Sequence, residues 1–284
     1  MSELIRAKTI VKLDSQILNS IQFCGYRYQQ EHIGNWRPNK KATALQRGGT
    51  MHSMLAHFYK QRMKPDFSLA RAIEDAEIVG REAISSTEIP AEEFQDEDLR
   101  VFREYNLYYQ NDGWEILAVE QPFSRILHES EDLVILWEGI VDLVIKDPSI
   151  GKATVDHKTE SRKSNPFILS NQFQGYEDSF KLPVIVNKIG YQKTLPNNER
   201  FRRLVHDSTP PLLKEWQDDV VYWVKLAISW HEQNYFPRNR TSCDKYSGCI
   251  FQPICKVPEE VREFKLMSKF FQDKKWDPFS RDEE

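Results

Sequence analysis

The sequence predicts an α/β protein, one mixed sheet with helices packed on it. The period of the apolar residues is helical up to about residue 110, turns to Val/Ile/Leu-rich strand patterning between about 114 and 206, and returns to helical after that. The order is helices, a block of strands, one helix, two more strands and a long helix, which suits a sheet covered by helices. With 284 residues, 40% hydrophobic and 12% aromatic, the chain can bury a sizeable core as one large domain or two small ones.

The elements follow in order. "LDSQILNSIQFCGYRYQQEH" reads as a helix capped by Asp14 or Ser15, with Ile17, Leu18, Ile21 and Cys24 at helical spacing. "NWRPNKKATALQRGG" reads as a basic loop, and "TMHSMLAHFYKQRM" as a helix capped by Thr50. Helical stretches follow at about Phe67 to Ile84 and Ala91 to Gln110. "WEILAVEQPFSRIL", "DLVILWEGIVDLVIKD" and "KATVDHKTE" read as strands, "NPFILSNQFQGYEDSF" as a helix, "PVIVNKIGYQKT" and "RFRRLVHD" as strands. "TPPLLKEWQDDVVYWVKLAISWHEQ" is a long helix opened by prolines, and the tail "QDKKWDPFSRDEE" is polar.

A net charge of −4 advertises no nucleic-acid partner, although a local basic groove is compatible with it. No secretory signal and no run of roughly 18 apolar residues is visible, so the expectation is a cytoplasmic protein without a membrane partner. Basic residues collect in "NWRPNKK", "KTESRKS" and "NKIGYQKTLPNNERFRR", with Trp36, Tyr191 and Phe201 interleaved. Such stretches are commonly solvated faces; as a nucleic-acid surface, Arg162, Lys163, Lys188, Lys193, Arg200 and Arg202 would contact the backbone and the aromatics would stack on bases.

Two acids stand out inside apolar strands. Asp142 and Asp156 lie seven residues on either side of Ser149, in the turn "DPSIG". A regular antiparallel hairpin centred there puts them opposite each other, with Cβ atoms roughly 4.5–5.5 Å apart. Two such carboxylates repel unless a cation lies between them, and Mg²⁺ or Mn²⁺ suits oxygen ligands. Lys158 faces the same side as Asp156, and His157 the other side, from which its backbone carbonyl can still reach an ion. Two acids, a lysine and a metal suit phosphodiester hydrolysis. Taken alone, D-x-K is a common strand-end salt bridge.

Cys243, Cys249 and Cys255 are spaced by five residues each, and Cys24 lies far upstream. In a reducing compartment such a cluster suggests metal. Structural zinc sites favour closer pairs; four thiolates also suit an iron–sulfur cluster. Zinc and four unliganded thiols remain the alternatives.

In order, "FCGYRY" with Cys24, "GGTMHSMLAHFY" with His52, "GIVDLVI" with Asp142, "VDHKT" with Asp156 and Lys158, "QFQGY" with Gln172 and Tyr176, and "CDKYSGCIFQPIC" span about residues 14 to 256. This arrangement resembles the PD-(D/E)xK nuclease superfamily, specifically its RecB-like branch with an iron–sulfur cluster. That branch includes nuclease domains of RecB and AddB, CRISPR spacer-acquisition nucleases and phage proteins. The resemblance implies a restriction-endonuclease-like core at about 114–206 within a single nuclease domain, 1–270. It implies a helical part at 14–112, a cluster segment at 236–258 joined to Cys24, and a polar tail at 271–284. Asp142, Asp156, Lys158, Gln172 and Tyr176 would be catalytic. Metal contacts would come from His52, Asp142, Asp156, the His157 carbonyl and Glu120. Outside the resemblance, His52 reads as a core histidine with His57 as its rival, Glu120 as a solvated strand residue, Gln172 as surface and Tyr176 as core edge. Related clusters carry a C-x2-C pair that this chain lacks, yet the resemblance favours a 4Fe–4S cluster on Cys24, Cys243, Cys249 and Cys255. The implied activity is a Mg²⁺- or Mn²⁺-dependent deoxyribonuclease, an exonuclease on single-stranded DNA or DNA ends. It would serve recombination, replication or CRISPR-type processing, as a stand-alone phage or CRISPR-associated enzyme. The alternative is a cluster-bearing DNA-binding or assembly subunit of a recombination or CRISPR-adaptation complex.

Overall fold

The computed structural model describes residues 8–40, 42–85, 91–164, 169–245 and 248–273. Along the chain run β1 (Thr9–Leu13), α1 (Ser15–Phe23), α2 (Gly25–Tyr28), a π-helical turn (Gln29–Ile33), β2 (Trp36–Pro38), α3 (Thr43–Arg62), α4 (Leu69–Ser85) and α5 (Ala91–Tyr108). Then come β3 (Glu115–Glu129), β4 (Leu133–Asp147), β5 (Gly151–Glu160), α6 (Asn171–Phe180), β6 (Val184–Gly190), α7 (Asn197–Arg200) and β7 (Phe201–His206). The chain closes with α8 (Pro210–Glu232), a 3₁₀ turn (Arg240–Ser242), α9 (Gln252–Cys255), α10 (Glu259–Lys269) and β8 (Phe270–Gln272). No described helix is long and apolar enough to cross a membrane. Two compact units result, one of Lys41–Phe123 and Ile140–Ser208, the other of Met1–Lys40, Ser124–Gly139 and Thr209–Glu284. The long strands β3 and β4 contribute residues to both.

The first of these units is a mixed sheet flanked by helices. β4 and β5 pair antiparallel from Leu143↔Val155 to Asp147↔Gly151, β5 and β6 pair parallel, and β6 and β7 antiparallel. Asp147 closes the hairpin by accepting from the Ser149 and Ile150 amides at 2.7 and 3.1 Å, and Gly151 takes φ +80°, which a glycine tolerates. Because strand side chains alternate, one sheet face presents Leu143, Ile145, Ala153, Val155 and Ile189 to Met51, Met54 and Phe58 of α3 and to Phe102 and Tyr105 of α5. The other presents Val144, Val186 and Leu204 to Phe173 and Tyr176 of α6. Each buried side chain of this kind contributes about 1.5–3 kcal/mol. α3 begins at Thr43, seven residues before the expected cap; Thr50 is buried within it. Arg47 fixes the extra turns by pairing with Asp98 at 2.6 Å and Glu97 at 2.9 Å. The expected helix start at 165–168 lies outside the described residues, and α6 begins at Asn171.

In the other unit β1 pairs parallel with Leu133–Trp137, a strand the helical reading of the N-terminus missed. Asp14 caps α1 by accepting from the Ile17 amide at 2.8 Å. The continuous helix expected through His32 instead breaks at Cys24, whose backbone is extended at φ −172°, ψ 122°. At the break the Tyr26 amide donates to the Pro237 carbonyl at 3.1 Å, and a Cβ on Gly25 would lie 2.8 Å from Pro237 Cδ. Close approach of backbone to proline thus interrupts the helix and sets Cys24 beside the segment leading to Cys243. Trp137 meets Trp216 of α8 edge to face, and Ile21 packs with Ala227 and Trp230. β2 and β8 form a two-stranded sheet where a basic loop and the start of a polar tail were expected; three-residue strands carry too little pattern to be read. Tail residues 274–284 lie outside the described residues.

Candidate functional site

The hairpin has the register its symmetry required. One step beyond Leu143↔Val155, where the β4–β5 ladder ends, lie Asp142 and Asp156, each inside its strand. Asp142 Oδ2 accepts from the His157 amide at 2.7 Å, and Oδ1 lies 3.3 Å from His52 Nδ1 on α3. Asp156 is buried, with Oδ2 2.8 Å from Lys158 Nζ. Burial favours the neutral carboxyl in both, but the outcomes diverge. His52 and the His157 amide overcome it at Asp142 and hold that acid well below the usual range. At Asp156 burial, reinforced by Asp142, outweighs Lys158 and the pKa rises. Burial would lower the His52 pKa, yet the Asp142 carboxylate raises it to about 8. His57, the rival histidine, pairs with Gln61 at 3.1 Å.

Lys158 is gripped from a second side. Its Nζ donates to Gln172 Oε1 at 2.8 Å, Gln172 Nε2 donates to Tyr176 Oη at 2.8 Å, and Tyr176 Oη donates to the Ile140 carbonyl at 3.0 Å. Gln172 and Tyr176 sit four residues apart on α6 and so share a face. The chain of bonds runs from the lysine back to the strand that bears Asp142 and so fixes the ammonium.

Glu120 lines a small pocket with His52, Ala56, Asp142, Leu143 and His157, and Lys60 Nζ approaches its Oε2 at 3.4 Å. Its φ of +53° is rare for a non-glycine residue and marks a break in strand alternation that turns the side chain. Lys60 was not anticipated; its spacing of eight from His52 on one helix was the available signal. The His157 ring faces away as expected: it stacks on Tyr59 at 7° and its Nδ1 lies 2.6 Å from Asn187 Nδ2. Burial drives its pKa down to about 3, so the ring is neutral. The carboxylates of Asp142, Asp156 and Glu120 and the His157 carbonyl are hard oxygen donors suited to a divalent cation. As they stand, His52 and Lys158 face the two aspartates, and among the described residues no three His, Cys, Asp or Glu side chains form a ready-made metal shell.

The expected nucleic-acid contacts need correction. Lys188 is buried, with Nζ on the Ser164 hydroxyl at 2.6 Å and 3.5 Å from Glu160. Arg200 is buried against Glu104 at 2.7 Å, and Arg202 pairs with Glu160 at 2.5 Å. A strand cannot reach groups so enclosed; they brace β6, β7 and the end of β5. Tyr191 and Phe201 are core residues, and Trp36 packs in a small cluster with Phe251 and Phe270. Arg162, Lys163 and Lys193 are exposed, the last two near Glu199 and Glu97.

The four cysteines line one cavity of about 460 Å³, together with Arg27, Arg238, Arg240, Lys256 and Arg262. The two ends of the sequence therefore meet here. Asn239 N donates to Cys24 Sγ at 3.4 Å, and Cys243 Sγ lies 3.9 Å from the Asn239 carbonyl. Burial pushes the Cys249 and Cys255 thiols up, against the pull of Arg27 on the former and Arg238 on the latter. The basic run "PRNR" just before Cys243 was the unread signal for the cationic wall.

Residues 16–256 match the model of the PD-(D/E)XK nuclease superfamily. No curated protein matches the chain. Among solved structures, a candidate exonuclease from Eubacterium rectale aligns with a TM-score of 0.52 at 14% identity, over 89% of this chain and 92% of that one, a likeness of fold. The protein SSO0001 aligns with a TM-score of 0.36 at 16% identity, over 75% of this chain and 95% of that one, which is too weak to argue from.

Proposed function

The chain belongs to the PD-(D/E)XK nuclease superfamily, and from that premise we propose that it is a Mg²⁺- or Mn²⁺-dependent deoxyribonuclease of the RecB-like branch, an exonuclease on single-stranded DNA or DNA ends. The observation that carries this reading is the meeting of Asp142, Asp156 and Lys158, with Lys158 tied through Gln172 and Tyr176 to Ile140. Asp142 and Asp156 would hold the ion, together with the His157 carbonyl, and His52 and Glu120 line the same small pocket. The ion supplies activation of water and stabilisation of charge on the phosphoryl group. Lys158, held between Asp156 and Gln172, would offer its ammonium to the phosphate oxygens. Gln172 keeps the lysine within reach and so limits the entropy lost in positioning it. The low pKa of Asp142 keeps that donor ionised before the ion arrives.

The reading of the cysteine cavity as the seat of a 4Fe–4S cluster rests on the resemblance and on the four cysteines lining one cavity of about 460 Å³; among the described residues no three of them form a ready-made metal site. The lining arginines and lysine would balance the negative charge of four thiolates. In this reading the cluster is structural, joining the segments that bear Cys24 and Cys243 to Cys255, and the enzyme serves DNA recombination, replication or CRISPR-type processing.

The test is digestion of end-labelled DNA by anaerobically purified protein with Mn²⁺, alongside Asp156→Ala and Lys158→Ala. Wild type should release short products and both variants none. Intact label with wild type, or equal digestion by the variants, removes the reading.

A further inference from the structure

We propose that Asn187 is a positioning residue for the divalent ion, acting from the core side through the His157 ring on the backbone that faces Asp142. The proposal rests on the nuclease reading and adds to it what holds the ligand geometry. The His157 amide donates to Asp142 Oδ2 at 2.7 Å, and its carbonyl is one of the oxygen donors assigned to the ion. The β4–β5 ladder ends at Leu143↔Val155, so at residue 157 it does not fix the direction of either group. β6 still runs alongside β5 and places Asn187 directly beside His157.

The ring is gripped on two sides. It stacks on Tyr59 of α3 at 7°, with centroids 5.7 Å apart. Its Nδ1 lies 2.6 Å from Asn187 Nδ2, which also donates to Tyr105 Oη at 2.8 Å. An amide nitrogen only donates, so the ring accepts at Nδ1 and carries its proton on Nε2. Tyr105 Oη in turn meets Tyr59 Oη at 3.1 Å and Arg203 Nη2 at 3.3 Å. Arg203 pairs with Asp112 at 2.8 Å and lies 3.4 Å over the Trp114 ring. A buried network from α3, α5, β6 and β7 thus converges on one imidazole, and such a network specifies a single arrangement of its members.

Stability alone would be served better by apolar side chains. Asn187 and His157 are both buried, and Asn187 Oδ1 and His157 Nε2 have no protein partner among the described residues. Phenylalanine at 157 would keep the stack on Tyr59, and leucine would fill the place of Asn187. Replacing both partners of a buried hydrogen bond by apolar groups of similar shape is nearly neutral or stabilising. Hydrophobic contact is non-directional, however, whereas the bond to Asn187 sets the rotation of the ring. It thereby sets the residue whose amide holds Asp142. Outer partners that orient metal ligands are commonly worth 10–100-fold in metal affinity.

The experiment titrates DNA-free protein with Mn²⁺ and reads the free ion by electron paramagnetic resonance, counting the binding that Asp156→Ala loses. Melting temperature and Mn²⁺-driven DNA cleavage are measured on the same samples. His157→Phe/Asn187→Leu should keep or raise the melting temperature and bind Mn²⁺ about tenfold more weakly. His157→Asn gives up the stack on Tyr59 and should melt lower, yet it returns an acceptor oxygen to the place of Nδ1 and should bind Mn²⁺ nearly as wild type does. Stability and affinity then run in opposite order, which a merely structural role would not produce. Wild-type affinity in the double variant, an equal loss in His157→Asn, or affinities that follow the melting temperatures overturn the positioning role. If the expected order appears but wild type cleaves no DNA, the nuclease reading falls and the positioning role stands. If wild type cleaves and the double variant binds Mn²⁺ equally well, the positioning role falls and the nuclease reading stands. If Asp156→Ala loses no Mn²⁺ relative to wild type, both fall.

Discussion

In the unit of Lys41–Phe123 and Ile140–Ser208, polar side chains of two regular strands meet those of two helices, α3 and α6. His52, Asp142, Asp156, Lys158, Gln172 and Tyr176 are linked by contacts of 2.8–3.3 Å. In the other unit the cysteines stand on a helix break, a loop and a short helix around open space. At the first site His52 and Lys158 supply the positive charge the carboxylates need. The second has no such substitute: its thiols face backbone groups and arginines, and burial holds Cys249 and Cys255 protonated. A cluster bound there would require loss of protons and would contribute to folding itself, whereas an ion at the first would affect chemistry more than stability.

Substitutions should separate the two. The largest effect is expected from Asp156→Ala: cleavage falls by about 10³-fold or more, while iron content is kept. Its melting temperature should hold or rise in chelator, since the repulsion with Asp142 disappears. If iron or stability falls with it, the two sites are not independent. Next comes Cys249→Ala, which should empty the cavity of iron and lower stability by a few kcal/mol, while titration with Mn²⁺ still finds the Asp142 and Asp156 site. Full iron and an unchanged melting temperature would remove the structural cluster.

A smaller change sharpens the first site alone. Tyr176→Phe removes the bond to Ile140 and the support for Gln172, and kcat should fall by about tenfold, the scale of one hydrogen bond. An unchanged kcat would show that Lys158 needs no such chain. The smallest effect concerns pH. His52 has a pKa of about 8 against 6.5 unperturbed. Its contribution to stability is therefore fully present below pH 6.5 and lost as pH rises through about 8. In chelator the melting temperature of wild type should decline across that window more than that of His52→Gln. Parallel curves would disconnect His52 from Asp142.

The same contrast explains what could be read from sequence. Asp142 and Asp156 were legible because a hairpin is symmetric about its turn, and Gln172 and Tyr176 because a helix repeats. Lys188, Arg200 and Arg202 were misread because a charged residue carries no sign of whether carboxylates will enclose it; Glu160 and Glu104, far off in sequence, decide that. The turns of α3 before Thr50 depend on Arg47 meeting Asp98, a contact between distant helices. The break at Cys24 depends on Pro237, and β2 on β8, partners more than two hundred residues away.

The most direct measurement is single-turnover cleavage of end-labelled single-stranded DNA with and without Mn²⁺, by wild type and by Asp156→Ala samples of equal iron content and melting temperature. The account expects rapid, metal-dependent release of product by wild type and none by the variant. Cleavage by the variant at the wild-type rate, or none by wild type with Mn²⁺ present, would contradict it.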